Sequence, residues 1–423
     1  MPVTAPYGTW ESPVTARSLA EGGVGLRAPW RRGGAVFWLE GRPAEGGRTV
    51  PVCRAADDTT TDLLGPGWDV RGRVHEYGGG DVLYLDDLDG GPALAFCSGA
   101  DQALCLVRPD ARPPVALTVP GRDRFADLRH DPGRRRMIAV RERHPADGHG
   151  DPENALVAVP LDGVSDGGRV LAGGADFYAS PALAPDGRRL AFVTWTHPDM
   201  PWDATTLWVA AVEEDGGLAE PVRVAGGPAE SVVQPAWLPD GRLVYVSDRN
   251  GWWNLYLWDG AASRPILPMA AEFAHPLWVF GIRDLAVVDA RTLACVHTRD
   301  GTWTLGLVDV EDGTLRPFDL PFTDIGDLHA DGRTLTFCAA GPATPNAVVT
   351  LDLDRGAVET VRHATAALPD PAYVSTAQAI RFPTGGGGQA HAFYYPPANR
   401  GFAAPDGERP PPIVRSHGGP TAA

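Results

Sequence analysis

Lysine is absent, and all 37 basic side chains are arginine. A Walker A loop, a pyridoxal-phosphate Schiff base and a Ser-Lys dyad are therefore excluded. Long apolar runs are missing as well, so no transmembrane helix is expected and no membrane partner. The stretch 1–19 has no basic region leading into an apolar one, which removes a signal peptide and makes cytoplasmic residence the expectation. Cysteines are few and odd in number (Cys53, Cys97, Cys105, Cys295, Cys338), with no C-x-x-C spacing. Most lie in apolar runs, and buried reduced thiols are expected. A net charge of −16 opposes nucleic-acid binding. Long helical periodicity is nearly absent.

What is present is turn chemistry and short strands. Glycine (51) and proline (41) are spread through all 423 residues. Seven runs of strand-formers follow turns: Val36–Leu39, Leu94–Cys97, Met137–Val140, Leu190–Val193, Leu243–Val246, Leu293–Val296 and Leu335–Cys338. Their first residues are 58, 43, 53, 53, 50 and 42 apart. A period of roughly 50 residues built from short strands is the signature of a β-propeller.

The flanks agree. Segments from Ser180-Pro181, Gln234-Pro235 and Asp327-Leu328 end in the turns Asp186-Gly187, Asp240-Gly241 and Asp331-Gly332. Hairpins such as Asp248-Arg249-Asn250-Gly251 then lead into a further strand. A blade alone leaves an apolar face uncovered, and stacking blades around an axis covers it. The fold class is mainly β, a seven-bladed propeller over 20–362, after an N-terminal extension over 1–19. Neither the GH…WD pairs of WD repeats nor the kelch double glycine recurs. Two hairpins carry insertions, Arg141 to Asn154 and Thr194 to Thr206. The second holds Trp195, His197, Met200, Pro201 and Trp202, which suit a contact surface or a cap on the blade's own core.

Beyond a linker at 363–376 the pattern changes. Ala377 to Phe382 and Ala390 to Tyr395 read as two antiparallel strands about the turn Gly385–Gly388. Ile413 to Ser416 reads as a short buried strand running into His417-Gly418-Gly419-Pro420. By itself HGG is an ordinary strand-end turn. After two antiparallel strands it is how an α/β-hydrolase domain begins, with backbone N–H groups for an oxyanion hole. The expectation for 377–423 is the incomplete start of such a domain, since so short a segment holds no doubly wound sheet.

Several stretches in order carry a likeness: Tyr7-Gly8-Thr9-Trp10, Glu40-Gly41-Arg42-Pro43, His75-Glu76-Tyr77-Gly78-Gly79-Gly80, Ser247-Asp248-Arg249 with Gly251-Trp252-Trp253-Asn254-Leu255-Tyr256, Ala390 to Pro397, and Ser416 to Thr421. With them the chain resembles the prolyl oligopeptidase family of serine peptidases, in its acylaminoacyl-peptidase and dipeptidyl-aminopeptidase-like branch. That resemblance implies a propeller that restricts access to short peptides and a Ser-His-Asp triad in the hydrolase domain. It also implies an oxyanion hole beside the serine, to which Gly418 and Gly419 correspond, and a turn-shaping role for His417. No G-x-S-x-G elbow lies downstream of His417-Gly418-Gly419-Pro420, and the one match in spacing, Gly163-Val164-Ser165-Asp166-Gly167, falls within the propeller. The chain therefore reads as partial, lacking the triad and inactive alone.

Other constellations weigh less. Gly23 to Ala28 matches G-x-G-x-x-A but neither follows a strand nor opens a helix. His144 and His149 with Asp147 and Asp151 sit in a Gly/Pro-rich insertion, and neither a metal nor any other cofactor is expected. Glu213-Glu214 marks a polar hairpin tip. Glu76 is a candidate for facing the central cavity and holding a substrate amine, while the glycines after it also suit a tight crossing near the axis. Asp248, Arg249 and Trp252 are further substrate-contact candidates. The competing function is a non-catalytic, TolB-like propeller that binds a peptide or protein. The resemblance leaves the peptide type and homo-oligomerisation open.

Overall fold

The computed structural model describes residues 2–17, 23–108, 111–365, 370–416 and 418. Each of the seven apolar runs lies in the second strand of a four-stranded sheet whose strands follow one another in sequence. Those second strands are Ala35–Arg42, Ala93–Cys97, Arg136–Arg143, Arg189–Trp195, Leu243–Ser247, Thr292–Arg299 and Thr334–Gly341, in blades 1 to 7. Their apolar runs are continuous because a neighbouring blade covers each face of the strand. In blade 5, Leu243 and Tyr245 pack with Val193 and Leu207 of blade 4, whereas Val244 and Val246 pack with Leu293 and Cys295 of blade 6. One apolar cluster lies between each pair of neighbours, blades 7 and 1 included. Fully burying one such Leu, Val or Phe contributes about 1.5–3 kcal/mol. All five cysteines are unpaired thiols within these sheets.

The ring closes without an exchanged strand. Val348 of blade 7 packs against Leu26, Trp38 and Val50 of blade 1. Arg362 Nε reaches Glu40 at 2.8 Å, and a single backbone bridge joins Gly23 to Thr365.

The innermost strands share a device that the sequence does not announce. In five of them one residue takes a left-handed backbone conformation: Ala28, Asp127, Ser180, Gln234 and Asp327, with φ between 50° and 58°. The pairing register to the second strand shifts at each of these places, so these are β-bulges. The bulges turn polar groups toward the next blade. Asp127 Oδ2 accepts from Ser180 N at 2.7 Å, and Asp327 Oδ2 accepts from Ala28 N at 2.9 Å. Gln234 exchanges two hydrogen bonds with Asp284, and Arg27 forms a bidentate pair with Asp81. With Trp237 Nε1 donating to Ala182 O and Leu328 N to Arg283 O, a polar belt circles the axis.

Successive antiparallel strands place their connections at alternate ends. The Asp-Gly turns between first and second strands lie at one end. The loops holding Glu76, Asp248 to Trp252 and Asp300-Gly301 lie at the other. At that second end two connections meet across the axis. Residues 71–81 lead from blade 1 to blade 2, and residues 272–284 lead from blade 5 to blade 6. Phe280 N donates to Gly78 O at 2.9 Å, and Gly79 pairs with Phe280 in a parallel bridge. The backbones come so close that only glycine fits: an ideal Cβ on Gly79 would stand 2.3 Å from Phe280 O, and one on Gly78 2.1 Å from Gly72 O. The Gly78-Gly79-Gly80 run thus serves a crossbar over the channel.

After the last blade, Gln378–Pro383 and Gln389–Tyr394 pair as an exposed hairpin. Arg381 pairs with Asp300 and the Phe393 ring lies against Gly301, which seats the hairpin on the same end of the ring. Val3–Thr4 of the N-terminal arm pairs in parallel with Phe402–Ala403. Ile413 to Ser416 departs from expectation. It forms no strand, and Ile413 and Val414 are 97% and 88% exposed. A buried strand needs neighbours for its backbone and side chains, and no strand among the described residues lies beside it. No α/β-hydrolase sheet is present among the described residues, which are mainly β. None of their helices is long and apolar enough to cross a membrane.

Candidate functional site

The crossbar and the inner strands of blades 7 and 1 enclose a central cavity of about 1040 Å³. Its walls carry Arg27, Arg129, Arg283, His275, Asp324 and Asp327, an unusual density of charge for a protein interior. Asp81 anchors one side. Its buried carboxylate receives Arg27 at 2.8 and 3.0 Å and Gly72 N at 3.0 Å. Burial opposes its ionisation, but the Arg27 charge and hydrogen bonds prevail and hold it below the usual carboxylate range. Arg283 donates to Pro29 O at 3.0 Å, and burial lowers its affinity for the proton.

Asp284 anchors the other side. It is fully buried and accepts from Gln234 Nε2 (2.6 Å) and His275 N (2.7 Å), with His275 Nδ1 2.8 Å away. The His275 ring stacks on Trp303 with centroids 3.7 Å apart. Burial pulls His275 down, but the Asp284 hydrogen bond and charge outweigh it, and its pKa lies above the ordinary imidazole value.

Glu76 lines this cavity from the loop before the crossbar, in a left-handed conformation with φ 65°. Its exposed carboxylate meets Arg124 Nη1 at 2.6 Å, and that pairing lowers its pKa. Asp248, Arg249 and Trp252 do not join it. They occupy the hairpin between the second and third strands of blade 5, away from the cavity walls. Asp248 accepts from Ser231 N at 2.7 Å, and burial raises its pKa. Arg249 pairs with Glu230 at 2.8 Å and lies 4.6 Å over the Tyr256 ring. Trp252 is 42% exposed. Gly418 is exposed, while His417 and Gly419 lie outside the described residues. In the blade 4 insertion Trp195 is buried against Phe177, and Trp202 meets Trp278 of the crossbar loop at 4.3 Å. The aromatics of that insertion thus serve both the core and the channel mouth.

Sequence reasoning did not find His275, Asp284, Arg27, Asp81 or Arg283. Residues 266–284 contain no strand run and read only as a long connection. Nothing local marks His275 and Asp284 as partners.

The histidines set an acid limit. Burial lowers His75, His130 and His297, and lowers His329 well below the ordinary value, where Arg283 and Arg32 add repulsion. The unfolded chain takes up these protons first, so stability falls as pH drops below about 6.5, by at most about 1.4 kcal/mol per pH unit for each group. His275 acts oppositely: its contribution is complete below about 6.5 and is lost as pH rises through its higher folded value. Four opposing groups outnumber one. Urea midpoints are expected to fall steadily from about pH 7 to about pH 5, and a flat profile would contradict these assignments.

No protein-family model matches the sequence, and no curated protein does. Solved structures do match. A puromycin-hydrolysing peptidase from Mycobacterium tuberculosis is 38% identical with a TM-score of 0.91, over 96% of this chain and 64% of that one. A puromycin hydrolase is 38% identical with a TM-score of 0.91, over 99% of this chain and 65% of that one. The chain thus spans just under two thirds of the length of these two. A prolyl oligopeptidase B from Galerina marginata matches with a TM-score of 0.66 at 13% identity, over 88% of this chain and 55% of that one, a likeness of fold alone. The seven-bladed ring, the hairpin seated on its loop-rich end and identity at this level over nearly the whole chain lead to one conclusion: the chain is similar to the puromycin-hydrolysing peptidases and shares the propeller fold of the prolyl oligopeptidases.

Proposed function

We propose that this chain is the access-restricting propeller, with the opening segment of the catalytic domain, of a cytoplasmic peptidase that hydrolyses short peptides and aminoacyl amides. The observation that carries this reading is the 38% identity to puromycin-hydrolysing enzymes across 96–99% of the chain. Puromycin is an aminoacyl amide with a free α-amine, which favours an aminoacyl substrate over an acylated one. Glu76, exposed at the cavity mouth, supplies a carboxylate for that amine. Gly418 and Gly419 supply backbone donors for the oxyanion. The one G-x-S-x-G match, Gly163 to Gly167, is a hairpin turn of blade 3 in which Ser165 Oγ accepts from Gly168 N at 2.7 Å, so 1–423 is expected to bind and screen substrate without turning it over.

Calorimetric titration with puromycin and with N-acetylpuromycin tests this. Puromycin is expected to bind at least about 10-fold more tightly, and Glu76→Gln to reduce that preference several-fold, as loss of a charged hydrogen bond does. Equal binding of the acetylated compound would remove the free-amine reading. Release of p-nitroaniline from an aminoacyl p-nitroanilide by 1–423, abolished by a serine-directed reagent, would refute inactivity.

A further inference from the structure

The Gln234–Asp284–His275 chain holds an imidazole rigidly and uses only half of it. Asp284 is fully buried and takes three contacts from Gln234 and His275, and Trp303 stacks on the ring. Turning the ring over would keep the stack but place Cδ2 where Nδ1 stands and break the Asp284 bond. Nδ1 is therefore committed. Nε2 has no partner among the described residues, and the side chain, 32% exposed, lies on the wall of the central cavity. A fixed ring open at one nitrogen offers an acceptor when neutral and a charged donor when protonated. The carboxylates nearest the ring are Asp284 behind it and Asp324 and Asp327 on the blade 7 inner strand, and all three favour the protonated form. Arg27, Arg129 and Arg283 on the same walls offset the two acids of blade 7.

We propose that His275 Nε2 is the contact by which the central cavity holds the carboxylate group of a small ligand. The carboxylate has two sources, the C-terminus of a short peptide and a free organic acid. Only the peptide source rests on the function proposed above. A peptide held at its C-terminus by His275 would be sorted by length, because the distance from His275 to the cavity mouth is fixed.

Titrating the 423-residue chain with triglycine, triglycine amide and acetate, at about pH 6 and about pH 8, tests the proposal. Triglycine is expected to bind roughly 10-fold tighter than its amide at the lower pH, with the preference shrinking at the higher one. His275→Asn keeps a donor to Asp284 in place of Nδ1 and leaves nothing at Nε2. It should fold with a near-native Tm and lose the acid-over-amide preference. Acetate binding that depends on His275, without a triglycine preference, supports the free-acid source. Equal affinity for acid and amide with no His275-dependent acetate binding, a preference that survives His275→Asn, or no binding by any probe overturns the proposal. A direct readout covers failure of the variant to fold. In the wild-type chain, ligand must raise the midpoint of the His275 Cε1–H proton resonance, and an unmoved midpoint refutes the contact. Binding is read here without turnover, so failure of this contact leaves the peptidase reading standing. Failure of the peptidase reading leaves the acetate arm intact.

Discussion

Gly79→Ala is expected to open the crossbar at a cost of about 3 kcal/mol, combining left-handed strain with a contact that cannot relax. Gly79 sits at φ +93°, and the added methyl would stand 2.3 Å from Phe280 O and 2.9 Å from Phe280 N. Both are backbone atoms, so no side chain can swing aside. Relief requires the 71–81 and 272–284 loops to part, which breaks the Phe280 N to Gly78 O bond. It also pulls Phe280 from its cluster with Val74, Tyr178 and Phe192. The measurement is hydrogen exchange. The Phe280 amide should exchange roughly 100-fold faster, at about 1.4 kcal/mol per tenfold. Amides of the blade 2 second strand should keep their protection, because that strand pairs on both sides and does not depend on the crossbar. Gly251→Ala is the control, with similar φ (+89°) and no atom within 4 Å of the added carbon. It should cost only about 1 kcal/mol, the strain alone. Equal effects of the two substitutions would show that the crossing is not tight.

Asp81→Ala is expected to cost about 3 kcal/mol. Removing one partner of a buried ion pair typically costs about 3–5 kcal/mol because the other charge stays behind. Here Arg27 keeps 38% exposure, so water takes up part of the loss and the lower end applies. The carboxylate also satisfies Gly72 N, and a small residue leaves that donor without its acceptor. Chemical denaturation of the single variants and of Asp81→Ala with Arg27→Ala tests this. The double variant should be less damaged than the sum of the singles by about 2 kcal/mol. Additive losses would mean that the pair contributes nothing beyond its separate contacts. The pH dependence carries the matching sign. Asp81 is held below its unfolded value, so its contribution is present above about pH 3.9 and disappears as pH falls through the folded pKa.

The two positions differ in how far the sequence reveals them. The glycine run at 78–80 is visible, and so is its alternative reading as a tight crossing. What it crosses is not visible, because Phe280 arrives from the far side of the ring. Asp81 reads as one more acid between a turn and a strand. Its partner Arg27 is 54 residues away. Glu76 could be placed near the cavity from its neighbours, whereas Asp248, Arg249 and Trp252 share its end of the ring and not its pocket. Their sequence context, a hairpin rich in aromatics, is the same whether the hairpin tip leans inward or outward. Ile413 to Ser416 shows the opposite error. An apolar run ending in a glycine turn has the pattern of a buried strand, but the pattern cannot supply the neighbouring strands that would bury it.

The sequence by itself determined the seven-bladed ring. Every second strand is covered on both faces, so burial writes a continuous apolar run into the chain once per blade, and a one-dimensional repeat records it. It also carried the likeness to the prolyl oligopeptidases, through short stretches in a fixed order. Only the tertiary structure decided the crossbar, the polar belt and the His275–Asp284 pair. The crossbar and the belt join groups from different blades, and their meeting depends on ring closure and on single-residue bulges that shift the register, whereas His275 and Asp284 lie nine residues apart on one connection whose path no periodic pattern records. Local composition carries no trace of either.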